Sequence, residues 1–445
     1  MDNKKQQLYS SPRFFVYGCL FLVLVPLSLT RLVIFTRQAF IVIAGSSGVD
    51  LKINTTTDDV NGENKERSHS IVNSTNIIKE EYNDFLTNTW PSVRHVLCGR
   101  GSPNLMLSRL LFKLAREEVF RENDPEILNT TFKNIHGGPT DTLTAFFVGN
   151  WGTSIYKDAQ NLHLTTVYIR IWKCANNQIR WMEKKLARQR KGTYIPSGNF
   201  HSLSQYIHAR NNINKTHSYD SLTDDEIVQP CFYTAIRDPL THFLSGFNEV
   251  EVRTLGEYNN GTTKYNMTSH IAPYHKNVPY SNSSKTLRKQ RFTAFVKDLL
   301  LEDDIFSTHY QYSHFFSMSR VLSVLSKYNI SLTGYIPTIT NITSTWPAFI
   351  ASTCKNAPTV DKIPKMTIQG QHRSSNDRLQ MYQAARDVWN EGGPIARSLC
   401  LLHAYDYACW EHLPAGIPQA CSDVYKKHAR LLTDYGLKHY YNYMY

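Results

Sequence analysis

The chain has 445 residues, of which 41% are hydrophobic and 12% aromatic, a composition that excludes a disordered or low-complexity protein. Its length exceeds that of one ordinary domain and suits a large α/β core with a separate tail. The 49 lysines and arginines outnumber the 37 aspartates and glutamates, for a formal net charge of +12, so an anionic partner would suit the chain.

The amino terminus carries an apolar run without charges. Residues 14–30 are uncharged throughout, which is about the shortest length that crosses ~30 Å of hydrocarbon. Three basic residues precede the run, which favours a cytoplasmic tail over residues 1–13 and translocation of the remainder. A cleaved signal peptide is the alternative, although no small-x-small cleavage site follows closely. We therefore predict a signal-anchor transmembrane segment and its flank over residues 14–44.

The composition then changes twice. Residues 45–80 are rich in Ser, Thr, Asn, Asp, Glu and Lys and poor in large apolar side chains, which predicts a flexible stem. Leucines at helical spacing follow in residues 104–121 and predict an amphipathic helix. We assign residues 81–445 to a folded lumenal domain.

Two features agree with export of this domain. Seven of the eight cysteines lie beyond the apolar run, as suits an oxidising lumen, and because seven is odd at least one stays free or pairs between chains. No Cys-x-x-Cys pair occurs and the histidines lack metal-ligand spacing, so no zinc site is predicted. Sequons for N-glycosylation also follow the run; they begin at Asn54, Asn73, Asn129, Asn214, Asn260, Asn266, Asn282, Asn329 and Asn341.

The first segment that suggests chemistry is a strand, a turn and a helix. Residues 165–171 are β-branched and aromatic, which predicts a strand, and residues 178–188 have helical spacing. The turn between them contains Lys173. Backbone N–H groups at a helix start, together with a lysine, can bind an anion. A turn that serves only packing is the alternative.

The second segment is another strand followed by a basic turn. Residues 231–236 predict a short buried strand, and Arg237, Asp238 and Pro239 follow it directly. This arrangement places a guanidinium at the carboxyl edge of a sheet, where α/β folds bind ligands. Ser245 follows in a helical run, so arginine and hydroxyl could converge on one phosphate. In the alternative, the arginine caps the turn and forms a salt bridge with Asp238.

These segments resemble a known family. Residues 171–180 resemble the 5′-phosphosulfate loop of Golgi membrane-anchored carbohydrate sulfotransferases, and residues 236–246 resemble their 3′-phosphate motif. Residues 399–421 are similar to the cysteine-bearing tail of that family. The resemblance covers about residues 145–421. It implies an α/β fold with three layers, a P-loop-like sulfotransferase fold around a mostly parallel sheet.

The resemblance also implies an activity. Such enzymes transfer a sulfuryl group from 3′-phosphoadenosine 5′-phosphosulfate (PAPS) to a hydroxyl or amine of a glycan. By this resemblance Lys173 contacts the 5′-phosphosulfate and stabilises charge on the leaving oxygen, while Arg237 and Ser245 hold the 3′-phosphate. The residues expected to bind the donor are Lys173, Cys174, Ala175, Asn176, Asn177, Gln178, Arg237 and Ser245.

Location and partners follow from the same argument. The expected protein is a single-pass type II glycoprotein of the Golgi membrane with a lumenal catalytic domain. Its partners are the membrane and a glycan or glycoconjugate acceptor, and the basic charge suits an anionic one. Nucleic acid is not expected as a partner, because the folded part faces a secretory compartment.

The general base that deprotonates the acceptor is assigned by position. His201 and His208 lie between the two motifs, where related enzymes place a catalytic His or Glu, and histidine has a suitable pKa. We therefore predict both as catalytic candidates. Glu183 is a further candidate, although on the predicted helix we expect it to face solvent.

Two departures from the family leave an alternative open. Asn176, Asn177 and Gln178 stand where the loop usually has small hydroxyl residues, and Trp172 stands where it usually has proline. Bulky amides could crowd the loop, so the alternative is a catalytically inactive, glycan-binding membrane protein of the same fold. A glycosyltransferase would need an Asp-x-Asp motif, which the acidic run at residues 302–304 lacks.

The carboxyl-terminal region predicts two packed helices and a disulfide. Residues 377–389 and 394–407 have helical spacing. Cys400, Cys409 and Cys421 lie close enough in sequence to supply a disulfide, and we predict the bridge Cys409–Cys421.

Overall fold

A computed structural model describes residues 79–120, 153–157, 164–189, 193–195, 230–260, 274, 277–278, 280–281, 283–301, 314–354 and 379–441. All of them belong to one compact unit, Lys65–Tyr445. The predicted membrane segment, nearly all of the predicted stem, and His201 and His208 lie outside the described residues. Within these ranges, no helix has both the length and the apolar character needed to cross a membrane.

The protein has an α/β fold built on a mixed five-stranded sheet. The strands are β1 (Thr153–Lys157), β2 (Leu164–Ile169), β3 (Thr193–Ile195), β4 (Cys231–Ala235) and β5 (Gly334–Ile336), in the order β3-β1-β2-β4-β5. Strands β2, β4 and β5 are parallel, whereas β1 pairs antiparallel with both β2 and β3. Both strands predicted from sequence, at residues 165–171 and 231–236, are confirmed as β2 and β4.

Helices make up most of the described chain. The two that frame the site are α3 (Asn176–Gln189), which follows β2, and α4 (Pro239–Asn260), which follows β4. The predicted helices at residues 104–121, 377–389 and 394–407 are also confirmed, the last as two short helices. The other helices are α1 (Trp90–Leu97), α2 (Ser108–Val119), α5 (Lys285–Leu301), α6 (Arg320–Lys327), α7 (Ile342–Thr353), α8 (Met381–Asn390), α9 (Pro394–Leu402), α10 (Ala404–Cys409) and α11 (Gln419–Tyr441).

Helices cover both faces of the parallel strands. Alternation along β2 sends Tyr168 to one face and Val167 to the other. The Tyr168 face packs against α3 and α7 in a cluster that includes Met182 and Trp346. The Val167 face packs against α6 through residues such as Val324. Because both faces are buried, even the polar residues of these strands, Thr165, Thr166 and Thr234, are buried, and most of the remaining side chains are apolar, as is usual in parallel strands.

A second core lies among the helices and fixes the orientation of α4. Phe243 and Phe247 of α4 contact Phe292 and Phe295 of α5, with ring centroids 4.7–6.3 Å apart. All four rings are at most 1% exposed. Each buried phenylalanine contributes roughly 1.5–3 kcal/mol relative to an exposed one. This packing holds α4 so that its other side faces the loop after β2.

The disulfide prediction was wrong in its pairing. The described cysteines form three bridges, which are Cys98–Cys409, Cys231–Cys354 and Cys400–Cys421. Cys409 ends α10, and α10 packs on α1, where Arg94 donates to the Ala408 carbonyl at 3.0 Å; Cys409 therefore meets Cys98. Three bridges in one domain indicate an oxidising compartment. Cys174 is a free, buried thiol, in line with the odd number of cysteines beyond the apolar run.

Candidate functional site

The two predicted motifs meet at the carboxyl edge of the sheet. Strands β2 and β4 are adjacent and parallel, with Tyr168 opposite Tyr233, so the segments that follow them emerge side by side. The Thr234 hydroxyl donates to the Ile169 carbonyl at 2.7 Å and joins the two strand ends. In open α/β sheets this edge is where ligands bind. The buried cluster at this edge consists of Ile171, Cys174, Ile236, Met318 and Trp410.

The loop that bears Lys173 has an unusual backbone. Lys173 has φ 61° and Ala175 has φ 56°, both left-handed, a conformation that costs a non-glycine residue about 1–3 kcal/mol and is often found at ligand-binding sites. Helix α3 begins directly after Ala175, and the Ile179 N–H donates to the Ala175 carbonyl at 3.0 Å. The first N–H groups of α3 have no partner within the helix. Left-handed turns followed by a helix start form a concavity suited to anions.

A buried tyrosine holds this loop from below. The Tyr168 hydroxyl donates to the Asn176 side-chain carbonyl at 2.8 Å, and the Cys174 carbonyl oxygen lies 3.3 Å from the same hydroxyl. Asn176 is 8% exposed, whereas Asn177 is exposed and Gln178 is half-buried. Of the three consecutive amides at residues 176–178, Asn176 thus shapes the loop from inside.

Helix α4 binds the same loop at two points. The His242 Nε2 atom lies 2.8 Å from the Trp172 carbonyl oxygen, and the Lys173 Nζ atom lies 2.5 Å from Glu249 Oε2. His242 and Glu249 are seven residues apart and so share one helical face. Burial lowers the pKa of His242 to about 3, so the ring is neutral and Nε2–H donates to the carbonyl. Neither His242 nor Glu249 was identified from the sequence. The signal that could have indicated them is their spacing of seven residues, which places both on one face of the predicted helix.

Arg237 lies two residues before the start of α4. Its Nε donates to the Thr241 hydroxyl at 3.0 Å, and the Thr241 N–H donates to the Asp238 carboxylate at 2.8 Å. Asp238 therefore caps the start of α4, and no ion pair between Arg237 and Asp238 occurs in this part of the structure. Burial raises the pKa of Cys174, and the charge of Arg237 opposes that increase. The basic turn and the Lys173 loop are therefore electrostatic neighbours.

Ser245 is a buried polar group in this face of α4. It is 1% exposed, and its hydroxyl has no hydrogen-bond partner among the described residues. Along α4 it lies between His242 and Glu249, which both bind the loop. A buried hydroxyl without a partner is costly and calls for an explanation, such as a ligand or water.

A buried acidic residue organises the segment packed over the loop. Asp406 accepts hydrogen bonds from the Ser319 N–H at 2.7 Å, the Ser317 hydroxyl at 2.8 Å and His403 at 3.0 Å. Burial alone would raise the pKa of Asp406, but these bonds outweigh it and lower the pKa. The same segment places the His314 ring 4.6 Å from the Trp172 ring. The Trp172 side chain is thus packed in place.

Comparisons with protein-family models, curated proteins and solved structures find no match to this chain.

Proposed function

We propose that this protein is a PAPS-dependent carbohydrate sulfotransferase that transfers a sulfuryl group to a hydroxyl or amine of a glycan. The proposal rests on the sequence resemblance and on one structural observation. The Lys173 loop and the Arg237 turn, 64 positions apart in the numbering, follow adjacent parallel strands and are both joined to α4. Under this proposal the α/β fold is the P-loop-like sulfotransferase fold, with a three-layer arrangement around its parallel strands.

The residues present suit a donor with two anionic ends. The left-handed loop and the start of α3 offer N–H groups to the 5′-phosphosulfate. The unpartnered Ser245 hydroxyl and the guanidinium of Arg237 suit the 3′-phosphate, since arginine binds phosphate oxygens in pairs. PAPS, when bound, supplies the sulfuryl group and a phosphate leaving group.

Of the residues in the proposed site, Lys173 should affect the rate of sulfuryl transfer most directly. Displacement at sulfur develops negative charge on the departing phosphate oxygen, and a fixed cation there stabilises the transition state more than the ground state. The loop holds Lys173 in a left-handed conformation, which directs its side chain before any donor arrives. Because the ammonium group of Lys173 is already directed, it need not be reoriented during the reaction.

The cellular setting is part of the proposal. Three disulfides indicate an oxidising compartment. We assign the chain to the Golgi membrane, anchored by residues 14–44 with residues 81–445 in the lumen. The acceptor is a glycan or glycoconjugate. Because the chain is positively charged, an anionic acceptor would suit it.

The deciding experiment measures transfer of radiolabelled sulfate from PAPS to a panel of neutral and anionic glycans. Lys173→Ala and Arg237→Ala should each lower transfer on the order of 100- to 1000-fold. Lys184→Ala is the matched control, because Lys184 is an exposed lysine on α3, and it should transfer as the wild type does. Wild-type rates in Lys173→Ala or Arg237→Ala would refute the site. A wild-type chain that binds the product adenosine 3′,5′-bisphosphate (PAP) without transferring sulfate would instead be the inactive glycan-binding homologue.

A further inference from the structure

The loop lysine contacts a carboxylate that the sequence did not single out. Lys173 Nζ and Glu249 Oε2 are 2.5 Å apart, and the two side chains are 20% and 27% exposed. The pair therefore lies at the surface of the site, where a substrate can reach it. This ion pair joins Lys173, the cation expected at the sulfuryl group, to a carboxylate on α4.

A sulfotransferase needs a base close to the reacting sulfur. The acceptor hydroxyl must lose its proton as it attacks, and a base within hydrogen-bond reach of that proton can accept it. A carboxylate that touches Lys173 is adjacent to whatever Lys173 binds. Glu183, the acid suggested by sequence, is 1% exposed and accepts from the Tyr233 hydroxyl at 2.8 Å, so it is a structural residue of the core.

We propose that Glu249 is the general base of the transfer reaction, an inference that rests on the proposed function. The acceptor oxygen forms a bond to sulfur with its lone pair, and its proton passes to the Glu249 carboxylate. The bond between sulfur and the 5′-phosphate oxygen breaks, and its electron pair stays on the phosphate. The products are a sulfate ester, or a sulfamate from an amine, and PAP. Glu249 then returns the proton to solvent.

The ion pair explains how the Glu249 carboxylate can have one role before PAPS binds and another after it binds. Without donor, Glu249 neutralises Lys173 and so stabilises a cation held on a strained loop. A phosphosulfate is also an anion, and it competes with Glu249 for the same ammonium group. Donor binding therefore weakens the contact between this carboxylate and Lys173 at the moment when a base is required.

The test compares three substitutions at Glu249 in the full-length chain. Glu249→Gln should bind PAP as tightly as the wild type or more tightly, because a competing anion is gone, while sulfate transfer falls by about 100-fold or more. Glu249→Asp should recover part of the rate. In Glu249→Ala, added formate should restore the transfer rate in proportion to the formate concentration. Formate can replace a missing base but cannot replace a missing structural contact. Glu391→Gln is the control, because Glu391 also pairs with a lysine, but that lysine, Lys289, lies on α5 and not in the loop.

The outcomes separate this inference from the proposed function. Transfer by Glu249→Gln within threefold of the wild type would overturn the assignment while leaving the sulfotransferase activity established. A tenfold or greater loss of PAP binding in Glu249→Gln would show a structural role and would equally overturn it. A wild-type chain that transfers no sulfate to any glycan in the panel would refute the proposed function, and the role of Glu249 with it.

Discussion

The Nε2 atom of His242 lies 2.8 Å from the carbonyl oxygen of Trp172, so a side chain of one motif holds the backbone of the other. His242 belongs to the first turn of α4, directly after the Arg237 turn, and Trp172 precedes Lys173 in the loop. This bond transmits the position of α4, which is fixed by its aromatic core, to the lysine. His242 is therefore a positioning residue for the loop.

Under the proposed function, substitution of His242 should weaken binding of PAPS and of its product PAP. In His242→Ala the Trp172 carbonyl loses its donor, and a net hydrogen bond contributes about 0.5–1.5 kcal/mol. We expect PAP to bind up to roughly tenfold more weakly in isothermal titration. His242→Gln, whose amide can donate to the same carbonyl, should retain most of the affinity. Equal weakening in both variants would mean that the ring matters for packing and not for the hydrogen bond.

The same histidine should make the fold sensitive to acid. Burial lowers the pKa of His242 from 6.5 to about 3, so between these values the unfolded chain binds the proton and the native chain does not. Its contribution to stability is complete above pH 6.5 and is lost as the pH falls towards 3, by up to about 1.4 kcal/mol per pH unit. Between pH 6.5 and 5, denaturant unfolding should show about 2 kcal/mol more loss for the wild type than for His242→Gln. Parallel pH profiles would contradict this assignment.

Gly246 should tolerate no side chain. A Cβ at this position would lie 2.3 Å from the His314 carbonyl oxygen and 2.6 Å from Phe315 Cβ, and backbone cannot move away as a flexible side chain can. Gly246→Ala should therefore destabilise the protein by about 1–3 kcal/mol and lower its melting temperature. Gly99→Ala is the control, because a Cβ there meets nothing within 4 Å. A similar melting temperature in both variants would contradict the close approach of α4 to His314.

Local patterns predicted the elements of the site, whereas contacts between distant elements could not be predicted. The strand before Lys173 is β-branched and aromatic, the strand before Arg237 is short and largely apolar, and each is followed by helical spacing, so both were predicted correctly from the sequence. The partners of these residues depend on how α4 packs against the loop. Glu249 and His242 are ordinary polar residues of a helix until the fold brings them to Trp172 and Lys173.

The disulfides show the same limit. Cys409 and Cys421 are near in sequence, which favoured their pairing. Helix α11 instead packs on α9, where the Tyr425 hydroxyl donates to the Cys400 carbonyl at 2.6 Å, and this brings Cys421 to Cys400. The partner of Cys409 lies 311 positions away, at Cys98, and no local pattern reveals such a contact.

A buried ion pair in the helical core should depend on both partners. Arg291 Nε lies 2.5 Å from Glu251 Oε2, both side chains are at most 1% exposed, and the Tyr274 hydroxyl also donates to Glu251 at 2.7 Å. Arg291→Met removes the cation that pairs with the buried Glu251 carboxylate and should cost about 3–5 kcal/mol in the free energy of unfolding. The double variant Arg291→Met with Glu251→Leu should cost less than the single one, because the carboxylate is removed together with the cation that pairs with it. A double variant less stable than the single would show that the ion pair is not the cause.

Cys174 should resist modification in the native protein and react only after unfolding. Its thiol is fully buried and contacts the Met318 sulfur at 3.6 Å, and burial raises its pKa, so the reactive thiolate is scarce. Iodoacetamide should leave the Cys174 peptide unlabelled in native protein and label it in denaturant without reductant. The disulfide partners Cys98, Cys231, Cys354, Cys400, Cys409 and Cys421 should stay unlabelled until reductant is added. Native labelling of Cys174 at the rate of a free thiol would show that the Lys173 loop opens to solvent, and it would contradict the packed loop on which the site depends.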